Sequence, residues 1–121
     1  MRIAERRNRR SEKQDVALKF QIDHVRGQAR LEALVLADAH GLPLAESGDG
    51  AVCAELAAIA PLMGRVLGMP MPPLLRGADV SVRTLRAFGQ PLYLASIGGT
   101  VARDALLATS VRGVERILAS N

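Results

Sequence analysis

Between Gly50 and Gly68 the apolar residues Val52, Leu56, Ile59, Met63 and Val66 recur at helical spacing and form a bulky stripe. Beside it runs a stripe of small residues, Cys53, Ala57, Ala60 and Gly64, and only Glu55 and Arg65 are charged across the span. The pattern predicts one helix with almost no face for water. Two stripes imply two partners: the chain's own sheet for the bulky one, and the close approach of another backbone for the small one. That second backbone is most simply the same helix of a second copy, because a small domain rarely covers a helix on all sides. The other reading is an ordinary buried helix within the monomer. On the dimer reading, a glutamate at Ala57 sets like charges face to face and splits a folded pair. Pro61 removes a backbone hydrogen bond and predicts a kink or break.

The rest of the pattern supplies a frame for this helix. Ser11 followed by Gln14 is spaced like a capping box and predicts a first helix beginning near Glu12, with an extension back through the arginines left open. Leu18, Ile22, Val25 and Ala29 share one face of it, Val16 and Phe20 lie on another, and Gly27 is its expected terminator. From Leu31 to Asp38 the chain is apolar on both alternating faces, Leu31, Ala33, Val35 and Ala37 on one and Leu34 and Leu36 on the other, which predicts a strand covered on both sides. Asp38–Gly41 reads as a turn, and Leu42–Ala45 as a returning strand in which Pro43 requires an edge, a strand start or a bulge. Asp49 is the expected N-cap of the central helix. Met69–Pro73 is too rich in proline for a helix, with Leu74 and Leu75 near the core and a possible fifth strand at Leu74–Ala78. Val80–Phe88 and Leu92–Ile97 flank a turn and form an antiparallel hairpin. Thr100 then caps a last helix, Val101–Ala119, with Leu107, Val111, Val114 and Leu118 inward. The expected fold class is α+β: a mainly antiparallel four- to five-stranded sheet between helical layers, in a single domain over 11–121 behind a basic tail over 1–10.

Charge refines this division. The net charge of +4 is unevenly placed: residues 1–30 hold nine Arg or Lys against four acids, and residues 31–121 hold seven against eight. The globular part is nearly neutral, so nucleic-acid binding by the domain itself is poorly supported. Arg6, Arg7, Arg9 and Arg10 are the candidate recruitment residues. Three readings are open for them: a solvated tail, docking on an acidic protein or membrane surface, and nucleic-acid contact. No apolar run approaches the ~18 residues of a membrane span, and the lone cysteine, Cys53, suits a reducing compartment, so a cytoplasmic protein is expected.

The run LVLADAHGLPLAESG, an apolar strand into an Asp–Gly turn and Leu-Pro-Leu-Ala, resembles the first hairpin of Roadblock/LC7 domains. The alanine-rich AVCAELAAIAPLMGRVL, the late hairpin VSVRTLRAFGQPLYLASIGG and the last helix match the same family in order and character, over about residues 30 to 119. The resemblance implies a non-enzymatic homodimer in which sheets join edge to edge and second helices pair. It also implies an adaptor or regulator of a small Ras-like GTPase, the bacterial relatives acting in cell polarity and gliding motility. Peripheral contact with a membrane fits such a scaffold.

Enzyme chemistry finds little footing in the sequence. Gly98-Gly99-Thr100 before a helix is a conceivable phosphate cradle and supports an alternative reading as a nucleotide- or phosphate-binding module, but the lysine of a P-loop is missing. His24 and His40 stand apart from any Cys/His cluster, so neither a metal nor another cofactor is expected. Cys53 reads as a packing residue. Arg65, Arg76, Arg83 and Arg86 are available to a GTPase partner, though nothing singles one out as a catalytic finger.

Overall fold

The computed structural model describes residues 2–63, 75, 77–87, 89–99 and 103–119, with side chains from Lys13 onward except those of Arg103 and Asp104. Seven elements follow in order: α1 (Arg2–Ala29), β1 (Leu31–Ala37), β2 (Pro43–Ser47), α2 (Gly50–Met63), β3 (Val80–Ala87), β4 (Gln90–Gly98) and α3 (Arg103–Ala119). The strands form one antiparallel sheet in the order β2-β1-β4-β3. The fold class is α+β, as the pattern predicts. Of the possible fifth strand, the described residues 75, 77 and 78 are not strand, and the rest of that segment lies outside the described residues.

The sheet separates two cores. On one face α1 and α3 pack over Leu31, Leu34, Leu36, Leu85, Leu92 and Leu94, and contribute Leu18, Ile22, Val25, Ala29, Leu107, Val114 and Leu118. On the other face α2 packs over Ala33, Val35, Ala37, Tyr93, Ala95 and Ile97, and the buried Leu75 joins the same cluster. The period-2 alternation of β4 holds throughout. In β1 it fails once: Leu31 joins the α1/α3 core while Ala33 joins the α2 core. A register irregularity between Leu31 and Ala33 in the β1–β4 ladder accounts for the change of face, which corrects the expected grouping of Leu31 with Ala33. In α3, Ser110 shares the fully buried row with Leu107 and Val114, whereas Val111 is only partly buried.

Local chemistry shapes the hairpin that leads to α2. Asp38 Oδ1 accepts hydrogen bonds from the backbone N–H groups of His40 (2.8 Å) and Leu42 (3.0 Å). Gly41 takes φ +81°, in the region where glycine avoids the Cβ penalty. Pro43 starts an edge strand directly at a register shift, where a missing N–H costs no ladder bond.

The helix termini bring two corrections. α1 begins at Arg2, so Ser11 and Gln14 lie inside the helix and Arg6, Arg7, Arg9 and Arg10 are in helical register instead of ahead of it. Gly27 is also interior; the left-handed residue that ends α1 is Arg30, at φ +55°.

Candidate functional site

α2 is held at its start by Asp49, whose Oδ1 accepts from the N–H groups of Ala51 (3.0 Å) and Val52 (3.1 Å). These are two of the donors a helix leaves without an internal partner. Pro61 lies within α2 and is buried, with the helix continuing through it to Met63. The expected extension to Gly68, including Gly64, Arg65 and Val66, lies outside the described residues, as do Met69–Pro73 and Arg76.

The small stripe faces inward. Cys53, Ala57 and Ala60 are each 0% exposed within a single chain, buried against Ala33, Val35, Ala37 and Ala95 of their own sheet. They have no surface left for a second copy, which corrects their reading as pairing residues. Ala33, Ala37 and Ala95 of the sheet share one buried cluster with these small helix residues, alongside the larger Val35, Tyr93 and Ile97. Leu56 and Ile59 flank that stripe and are buried with it, so both stripes form one wide sheet-facing surface. The Cys53 Sγ donates to the Ser47 carbonyl at 3.6 Å, and burial, with the nearby Glu46 carboxylate, pushes the thiol pKa up. A protonated, enclosed thiol is a poor nucleophile.

The surface that α2 offers outward consists of other residues. Ala51, Ala54 and Ala58 are exposed, Leu62 is 44% exposed, and the half-buried Glu55 is the only charged side chain among the described residues of the helix. Beside this row lies the β1–β2 hairpin. A Cβ at Gly41 would sit 3.1 Å from Ala58 Cα, so the turn abuts the helix backbone directly. Leu42 and Leu44 of the same hairpin are 61% and 44% exposed, and Leu44, one residue from the α1-facing Ala45, belongs to the α2 side of the sheet. The sequence carried this signal at positions 51, 54, 58 and 62, spaced three and four apart, but alanine is equally at home inside and outside.

Other candidates are dispersed. His40 lies in the Asp38 turn, and His24 stacks on Phe20 with ring centroids 6.4 Å apart. Among the described residues no three His, Cys, Asp or Glu side chains gather to hold a metal ion. The Gly98 N–H donates to the Asp79 carbonyl at 2.9 Å, which spends that group inside the fold; Thr100 lies outside the described residues. Arg86 donates to the Gly89 carbonyl at 3.3 Å across its own hairpin turn. The side chains of Arg6, Arg7, Arg9 and Arg10 lie outside those described. No described helix is long and apolar enough to cross a membrane.

The sequence matches no protein-family model, and no curated relative matches it either. The fold does have a counterpart. Myxococcus xanthus MglB, a Roadblock/LC7 protein, superposes with a TM-score of 0.62 at 15% identity, over 91% of this chain and 96% of that one. Two α helices on one sheet face, one on the other and the late antiparallel hairpin thus make up a Roadblock/LC7-like fold.

Proposed function

We propose that this chain is a non-enzymatic, cytoplasmic homodimer that serves as an adaptor or regulator of a small Ras-like GTPase. The observation that carries the reading is the outward face of α2 in a Roadblock/LC7-like fold. Ala51, Ala54, Ala58 and Leu62 form an apolar row on the only helix described on that sheet face, bordered by the half-buried Glu55 and beside the exposed Leu42 and Leu44. Apolar rows of this kind, rimmed by polar surface, mark protein–protein contacts. We assign pairing with a second copy to this outward row in place of Cys53, Ala57 and Ala60, and the GTPase to the surface that the pair completes. Gly64, which lies outside the described residues, stays within the proposal as a pairing position.

Two measurements test it together. Sedimentation equilibrium is expected to return a dimer mass, and Ala58→Glu to return a folded monomer, since a charge on the exposed row leaves the core intact. Immobilised wild-type protein is expected to retain a small GTPase from its native lysate in a nucleotide-dependent way, and Ala58→Glu to lose it. A wild-type monomer at high concentration removes the dimer reading. Equal GTPase retention by both proteins removes the assignment of the row.

A further inference from the structure

Glu55 stands within the outline of the outward row of α2. Positions 51, 55, 58 and 62 are spaced four, three and four apart, which places them on one side of a helix. Ala51, Ala58 and Leu62 are exposed there, whereas Glu55 is half-buried, and its Oε2 is shut off from water without a hydrogen-bond partner. The carboxylate thus lacks part of its hydration before a second molecule arrives.

The surroundings supply no opposite charge. α2 packs against β1, β2 and β4. Together with α2 itself, these elements carry Glu32, Glu46 and Glu55 but neither lysine nor arginine, and Tyr93 and the enclosed Cys53 are their other titratable groups. Asp38, His40 and Asp49 stand in the adjoining turns, and both aspartates are spent on backbone N–H groups. Two cations of α1 reach β1 and β2, but they go to main-chain oxygens: Lys19 donates to the Glu46 carbonyl at 2.6 Å, and Arg26 to the Glu32 carbonyl at 3.3 Å. Arg65, further along the chain, lies outside the described residues.

We infer, on the pairing of α2 rows proposed above, that Glu55 sets the strength of that pairing by like-charge repulsion. In a two-fold pair each copy presents the same surface to the other. The row from 51 to 62 is about 17 Å long at 1.5 Å per residue, and Glu55 lies about 2 Å from its midpoint. A two-fold axis at that midpoint brings the two Glu55 residues within about 5 Å of each other along the helix direction, whether the helices run parallel or antiparallel. Two carboxylates therefore enter one interface whose nearest described neighbours are alanine and leucine. Like charges there weaken the pair, and removing or reversing one of them strengthens it.

Sedimentation equilibrium of wild type and Glu55→Gln tests this, since the amide keeps the shape of the side chain and removes its charge. The variant is expected to pair roughly tenfold more tightly, the order given by two like charges about 10 Å apart at the effective dielectric of a protein surface. Wild-type pairing is expected to tighten as salt rises, and that of Glu55→Gln to stay level. In a mixture of isotope-labelled wild type with Glu55→Lys, native mass spectrometry is expected to find mixed pairs in excess of random exchange. Circular dichroism certifies the fold of each variant. A weaker pair in Glu55→Gln would mean that a donor reaches the carboxylate across the interface, and an unchanged pair that the carboxylate lies outside it; either overturns the role of Glu55. Ala58→Glu keeps that failure apart from failure of the row: where it still yields a folded monomer, pairing through the row stands and only the role of Glu55 falls. Wild type and Glu55→Gln both monomeric at high concentration would remove the pairing and the role of Glu55 together.

Discussion

The two faces of the sheet are built on different principles. The α1/α3 face is leucine-rich: Leu34, Leu36, Leu85, Leu92 and Leu94 meet Leu18, Ile22, Leu107 and Val114 under two helices. The α2 face carries more alanine and, among the described residues, one helix, with Ala33, Ala37 and Ala95 meeting Cys53, Ala57 and Ala60 beside the larger Val35, Tyr93 and Ile97. Large side chains fill the space between two helices and the sheet on the first face, and smaller ones fill much of it on the second. Two helices span four strands. Among the described residues, the one helix of the other face leaves Ala51, Ala54, Ala58 and Leu62 on its outward side.

The largest expected effect tests the alanine face directly. Ala57→Glu places a carboxylate at a position 0% exposed, between a helix and a sheet with no cation in the surrounding cluster. Burying an unpaired charge costs several kcal/mol, a large part of the roughly 5–15 kcal/mol that holds a domain together. The variant is expected to lose its cooperative melting transition in circular dichroism. A folded monomer would instead return Ala57 to the outward, pairing role.

Leu94 and Ala95 sharpen the contrast because they are neighbours on β4, both 0% exposed, one on each face. Leu94→Ala leaves a cavity and is expected to cost about 2–5 kcal/mol in denaturant titration. Ala95→Leu does the opposite. It forces three extra carbons into a fully buried position of the α2 cluster and is expected to cost about 1–3 kcal/mol or more. Were Ala95→Leu neutral, the α2 layer would be loosely packed and small residues would not be what seats it.

Much of this was legible in the sequence. Element order, the inward face of α1, the hairpin turns and the Asp49 cap all depend on neighbours within a few residues, and those patterns are local. The assignment of the small stripe failed because it depends on residues far away in the chain. Whether Cys53, Ala57 and Ala60 meet a second helix or their own sheet is decided by Ala33, Ala37 and Ala95, whose small size matters only once the strands are stacked beneath α2. Leu31 was misplaced for a related reason: a register irregularity exists only between paired strands. The outward row of α2 is not legible in the sequence because alanine carries no polarity to mark a side.

Asp49→Ala is a smaller perturbation, confined to the lone helix of the alanine face. It removes an acceptor for two backbone N–H groups. A lost N-cap typically costs about 1 kcal/mol. Because no second helix packs beside α2 among the described residues, its amide protons are expected to exchange faster in the variant while those of α1 and α3 change little. Uniform acceleration across all three helices would mean that the two faces unfold as one unit and that their difference in construction has no dynamic counterpart.

The smallest effect expected lies in α1, and its sign carries the information. Glycine before a chain reversal usually marks the left-handed end of a helix, and Gly27 occupies such a place near the end of α1. The structure moves the reversal three residues on, to Arg30, whose N–H donates to the Gly27 carbonyl at 3.4 Å. Gly27 is then an interior helical residue without a positive φ, and a Cβ built there meets nothing within 4 Å. Alanine at an open helical position is favoured over glycine by roughly 0.5–1 kcal/mol, chiefly by reducing the freedom of the unfolded chain. Gly27→Ala is therefore expected to raise the melting temperature by a few degrees. If Gly27 instead held the left-handed turn, the same methyl group would be strained and the melting temperature would fall. A fall would shorten α1 at its C-terminal end and shift the leucine-rich layer that the helix anchors through Val25 and Ala29.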